Sequence, residues 1–246
     1  MSRSHTLISG ALFAVLAACA VAQSPSQAVP KPAETSATVA PIDSAEVQSP
    51  SGDLIVTLIA DDGKPQWQAT WKGQNIVSPS TLGFTFAEAP DMENGMALSV
   101  VSTSSHDETW EQPWGERRYV GDQHNGLAAK FSFSDGKEAF TLRVRVFDDG
   151  LGFRYEVPGT GERRINDELT DFALDQTATA WWIKAGAYNR YEYIHEETTV
   201  LEVHRAHTPF TAQLPDGPFI SIHEAALVDY AGMWLNQRRE GVLKAD

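Results

Sequence analysis

The chain has 246 residues, 42% of them hydrophobic, with one cysteine and a formal net charge of −14. That charge excludes a nucleic-acid partner, whose phosphates it would repel, and leaves a neutral substrate, a cation or plain solubility. A lone thiol forms no internal disulfide, so the fold must rest on its apolar core.

At the N-terminus, residues 1–22 place Arg3 ahead of an apolar stretch from Leu7 to Ala18, followed by small residues. The stretch is too short to span a bilayer as a stable helix and has the shape of a secretion signal. Two cleavage patterns overlap in it. "LAAC", Leu16 to Cys19, has the form of a bacterial lipobox, in which Cys19 would carry the lipid. "AVA", Ala20 to Ala22, is a small-x-small site. The lipobox is the preferred reading. Either pattern predicts export, to the periplasm or outer membrane, with membrane contact only through a lipid anchor. Residues 23–48 are rich in Pro, Ala, Ser and Thr and lack aromatics, which predicts a disordered tether. The folded part is expected over 49–246.

That part reads as strand after strand. "DLIVTLIAD", "AKFSFSD", "LGFRYEV" and "TAWWIKA" are short β-rich runs. In "TLRVRVF", Leu142, Val144 and Val146 fall on one face and Thr141, Arg143 and Arg145 on the other. Asp62-Gly63, Asp135-Gly136, Asp149-Gly150 and Asp216-Gly217 punctuate the runs as hairpin turns do. No capped helical period is sustained, and only "HEAALVDYAGM" suits a short helical turn. The predicted fold is all-β, a large antiparallel sandwich of about a dozen strands or more. Long excursions are expected near 88–96 and 158–172.

Nucleophile elbows of the G-x-S-x-G type and phosphate-binding glycine loops are absent. His195, His204 and His207 lack zinc spacing. Aromatic residues beside carboxylates stand out instead. Trp110 and Trp114 lie among Asp107, Glu108, Glu111 and Glu116, and Tyr188, Tyr191 and Tyr193 surround Glu192. Sugars stack their C–H faces on rings and donate hydroxyl hydrogens to carboxylates, so the mixture suits a carbohydrate. For each residue alone, a core tryptophan or a solvated carboxylate is the more ordinary explanation. In "PFISIHEAA", Ile220, Ile222 and Glu224 share a strand face, with the carboxylate where an apolar residue is expected. Such a group needs a partner.

"PSTLGF", "DETWEQPWGERR", "RVRVFDDGLGFRYEVP", "AYNRYEY" and "ISIHEAALVDYAGMWL" follow in that order. Together they resemble the N-terminal domain of glycoside hydrolase family 97, bacterial α-glucosidases and α-galactosidases, from about Ser49 to the end. The resemblance implies a galactose mutarotase-like β-super-sandwich packed on a (β/α)8 barrel that carries most of the catalytic carboxylates. It also implies that one sandwich glutamate reaches a Ca²⁺ ion beside the α-linked oligosaccharide. Matching tyrosine to tyrosine in "YNRYEY", that residue is Glu192, expected as metal ligand and substrate-side group. Glu224 falls near the domain junction. It is expected either to pair with Arg143, Arg145 or Arg154, the favoured reading, or to stand near the sugar. The chain reads as a fragment without its barrel, so no catalytic residue is assigned and no turnover is expected. Two alternatives stand: a free-standing sugar-binding lipoprotein, or a mutarotase-like epimerase. The second is weakened because His223 and Glu224, adjacent on a strand, point to opposite faces.

Overall fold

Tight turns set the architecture. Asp62 and Gly63 both have positive φ, 48° and 73°, and so do Lys72 and Gly73, at 50° and 79°. Two consecutive left-handed residues form the turn whose twist matches a right-handed hairpin, so each pair folds the chain back on itself. Gly63 is further constrained by packing, because a Cβ there would lie 2.8 Å from the backbone nitrogen of Gly95.

The computed structural model describes residues 14–15, 41–187, 189–228 and 230–246. Apart from Ala14–Val15, the signal, lipobox, Cys19 and tether readings up to residue 40 lie outside the described residues, as does Tyr188.

In chain order, β1 (Ala14–Val15) is followed by a meander of β2 (Ser44–Gln48), β3 (Leu54–Asp61), β4 (Lys64–Trp71) and β5 (Gln74–Thr81). The short β6 (Phe84–Phe86) leads to the long hairpin of β7 (Ala97–Glu111) and β8 (Tyr119–Ser132), then β9 (Glu138–Phe147) and β10 (Gly150–Glu156). Next come β11 (Ile165–Glu168), β12 (Asp171–Ala173), β13 (Thr179–Trp182) and β14 (Glu196–Thr199), then a 3₁₀ turn at Val200–Glu202. The chain finishes with β15 (Arg205–His207), β16 (Phe210–Gln213), β17 (Phe219–Glu224), β18 (Trp234–Arg239) and β19 (Val242–Ala245).

These strands form a nine-stranded sheet, ordered β14-β13-β16-β17-β1-β10-β9-β8-β7, and an eight-stranded sheet, ordered β15-β18-β19-β12-β5-β4-β3-β2. β6 and β11 pair separately. The alternation predicted for "TLRVRVF" holds from Leu142 onward: Leu142, Val144 and Val146 are buried and Arg143 and Arg145 exposed, while Thr141 is buried as well. The two inner faces meet through aromatic edges. Trp67 of β4 packs edge-on against Phe153 of β10 and Phe172 of β12, at 5.2 and 5.7 Å between ring centroids. Its indole N–H donates to the Asp171 carbonyl at 3.2 Å. Replacing Trp67 by Ala opens a cavity and strands that carbonyl, so unfolding free energy should fall by about 3–5 kcal/mol. Urea unfolding checks this; a loss below about 1 kcal/mol would contradict the packing described.

The structure corrects three expectations. Ordered chain begins before Ser49: Ser44–Gln48 pairs with β3, and Ile42 donates its N–H to the Leu98 carbonyl at 2.9 Å. Ala45 and Val47 are buried there, an alternation too short and too polar in composition to register as core. The excursion expected over 158–172 contains β11 and β12. Residues 225–228 and 230–233 are bends and coil, not helix, since so short a run cannot offset the cost of nucleating one.

Candidate functional site

One corner of the sandwich is built on the pairing of two short strands. Pairing of β15 with β18 sets His207 directly opposite Trp234. Their rings meet edge-to-face at 5.4 Å, and the ring of Tyr191, from the segment between β13 and β14, has its centroid 4.5 Å from that of His207. Arg205 caps the layer, its guanidinium carbon 4.4 Å from the Trp234 ring, and pairs with Asp246. Burial lowers the His207 pKa, and its Nε2 is buried without a hydrogen-bond partner among the described residues.

That stack anchors the loop carrying Glu192. The residue next to it in sequence is Tyr191, clamped on His207, yet Glu192 itself is exposed in coil. Its polar contact among the described residues is a long one, 3.4 Å from the Tyr191 amide. Tyr193 lies under the Arg190 guanidinium, at 5.2 Å from the ring. An anchored stem with an uncommitted carboxylate is a suitable donor for a hard cation. It is one donor only. Among the described residues no three His, Cys, Asp or Glu side chains are grouped to hold a metal ion, and Ca²⁺ takes about six to eight oxygens. Glu192 therefore fits a calcium site shared with other ligands, and not one complete within these residues.

Glu224 has a different partner from the one expected. Its Oε1 accepts the Met233 amide at 2.6 Å, and the Thr208 hydroxyl stands 3.5 Å from Oε2. Burial raises its pKa, and the Met233 amide offsets part of that. Arg143 and Arg154 are occupied elsewhere, both pairing with Glu156 at 2.7 Å. His223 Nδ1 lies 2.9 Å from the Glu224 carbonyl oxygen, so the two side chains do not converge on one ligand.

Beside Glu224 opens a cavity of about 530 Å³ lined by Phe84, Phe86, Ile165, Glu168, Tyr230 and Met233, among others. Glu168 is its chemical centre, and local sequence gave no hint of it. The Tyr230 hydroxyl donates to Oε2 at 2.8 Å, while Oε1 is buried without a partner among the described residues. The residue as a whole is partly exposed although Oε1 is buried. Burial pushes this carboxyl up to about 7; Thr170, Tyr230 and Lys244 pull it down only in part. Thr170 is close but makes no hydrogen bond of good geometry to Oε1; its hydroxyl is engaged with Tyr155 at 2.8 Å. Asp167, next along, is held by Lys244 and Arg238 at 2.5 and 3.0 Å.

The other aromatic cluster lies elsewhere. Trp110 and Trp114 belong to the β7–β8 hairpin, at the opposite end of the nine-stranded sheet from β13 and β14. Trp114 is 83% exposed at the hairpin tip, and Glu111 pairs with Arg118 at 2.8 Å across its base.

The described residues thus form an antiparallel sandwich with an exposed carboxylate on an anchored corner. The comparisons agree. The model of the family described as "Glycosyl-hydrolase 97 N-terminal" matches residues 47–245, and the chain belongs to that family. A retaining α-galactosidase of Bacteroides thetaiotaomicron is 25% identical over 201 residues, covering 76% of this chain and 30% of the relative. A probable retaining α-galactosidase of Streptomyces bingchenggensis is 33% identical over 134 residues, 54% of this chain and 20% of its own. A family 97 enzyme of Pseudoalteromonas sp. strain K8, solved with acarbose, superposes with a TM-score of 0.78 at 43% identity. That match covers 82% of this chain and 31% of the enzyme, which has also been solved with panose. A β-arabinopyranosidase shares the fold at 18% identity and a TM-score of 0.71. The chain thus spans under a third of the length of each of these two relatives and of the Pseudoalteromonas enzyme.

Proposed function

We propose that this chain is the sandwich domain of an exported, calcium-dependent α-glycosidase, and that it completes the active site of a (β/α)8 barrel with Glu192. The observation that carries this reading is the geometry of residues 189–195, with Tyr191 fixed on His207 and the neighbouring carboxylate left exposed. Bound Ca²⁺ would orient sugar hydroxyls and support the acid–base pair supplied by the barrel. Glu192 lends the ion one negative oxygen donor, and the Tyr191–His207–Trp234 stack keeps that donor in place. An α-linked glucooligosaccharide is the favoured substrate. The relative at 43% identity was solved with panose and with acarbose, whereas the galactosidase relative that covers most of this chain shares 25%.

Hydrolysis of a glycoside requires two carboxyl groups flanking the scissile bond. Nothing in the described residues presents such a pair around the Glu192 loop. The 246-residue chain alone should therefore show no release of p-nitrophenol from p-nitrophenyl α-glucoside above buffer. Measurable turnover by the purified chain would overturn this reading.

A further inference from the structure

The nine-stranded sheet contains a lane that its own neighbours do not fill. Every residue of β10 from Gly150 to Glu156 pairs with β9, and β17 pairs with β16 from Phe219 to Ile222. Among the described residues, the pairings on the edges that face each other are those of Gly152, Phe153, His223 and Glu224 with Ala14 and Val15. β10 and β17 are thus about 9–10 Å apart, two strand spacings, with a two-residue bridge between strands of seven and six residues. Unpaired backbone donors and acceptors along an inner lane are costly, and they template another strand. The inward side chains beside it, Leu151, Phe153 and Tyr155 on one bank and Ile220 and Ile222 on the other, are all buried, and all but the Tyr155 hydroxyl are apolar.

We infer that this lane is a strand-acceptor site, filled by an extended segment of six or seven residues, apolar at alternate positions, from the chain that follows Asp246 in the longer enzyme. This rests on the reading of the chain as one domain of such an enzyme. Three observations select that occupant. Ala14 and Val15 belong to the stretch read as a secretion signal, whose removal would vacate the lane. The path from Asp246 to the lane is short: Asp246 exchanges backbone hydrogen bonds with Trp234, and the amide of the preceding Met233 binds Glu224 at the end of β17. The direction also agrees. A segment entering at Glu224 and running towards Phe219 is antiparallel to β17 and to β10, the sense in which β1 lies. Main-chain hydrogen bonds would supply the affinity, and the apolar bank would supply the register.

Residue-resolved amide hydrogen exchange tests the inference on two proteins, the leader-free chain and the same chain joined to its barrel. In the leader-free chain, alternate amides of 150–156 and 219–224 should exchange ~100-fold faster than those bonded to β9 and β16, and the joined protein should protect them. Uniform protection of both strands in the leader-free chain would show that the sheet closes without an inserted strand and would overturn the proposal. So would continued fast exchange in the joined protein, or retention of Ala14–Val15 in the lane of the exported product. None of these outcomes bears on Glu192, which lies outside the lane and is read through calcium.

Discussion

On the proposed function, Glu192→Gln in this domain joined to a (β/α)8 barrel is expected to lower α-glucoside hydrolysis by about tenfold or more while the β-sheet circular dichroism spectrum is unchanged. The substitution keeps the size of the side chain and removes its charge, the property a hard cation selects. Glu192 is exposed and bonded only loosely to the Tyr191 amide, so the fold loses nothing when the charge goes. Added Ca²⁺ should recover part of the activity, because the defect is in affinity for the ion. Were Glu192 a merely solvated residue, the variant and its parent would share one rate at every calcium concentration.

Glu168 gives the larger effect on the domain itself. Its carboxyl is raised from 4.5 to about 7 by burial, and the unfolded chain returns it to the ordinary value. The sign follows from linkage. Below about pH 4.5 the group is protonated in both states and costs nothing; as pH rises through 7 the folded state must either keep the proton or bury a charge. The stability lost across that window is ~3 kcal/mol for a displacement of this size. Glu224 and Asp171, both raised by burial, act in the same direction. His124 and His207, lowered by burial, act in the opposite one and favour folding as pH rises. Glu168→Gln isolates the one contribution, since a neutral amide can still accept from Tyr230. Urea unfolding at pH 5 and pH 8 should find the variant gaining roughly 2–3 kcal/mol on its parent at the higher pH. Parallel pH profiles would show that the Glu168 carboxyl is not desolvated.

What could be read from the sequence follows from the range of the interactions involved. The strands were legible because period-two alternation and Asp-Gly turns are local, as in Leu142, Val144 and Val146 or in the Asp62-Gly63 hairpin. β2 was obscured because its two buried residues, Ala45 and Val47, sit in a composition that otherwise resembles a tether. The position of Glu224 on an apolar strand face announces its need for a partner, but the partner is the Met233 amide, and backbone donors leave no trace in residue identity. Glu168 had no signal at all. Its burial is produced by Tyr230, 62 residues later, and by the aromatic wall of β6. The His207–Trp234 pair likewise depends on the register of β15 against β18, which no spacing within either segment announces.

Calorimetric titration with Ca²⁺ tests the shared-site account most directly, using the domain joined to its barrel, the same protein with Glu192→Gln, and the 246-residue chain alone. One exposed carboxylate cannot hold the ion by itself, so the lone chain should give no measurable binding heat. The joined parent should bind, and the variant should bind at least about tenfold more weakly. Equal affinities in parent and variant would contradict the assignment of Glu192 to the calcium site.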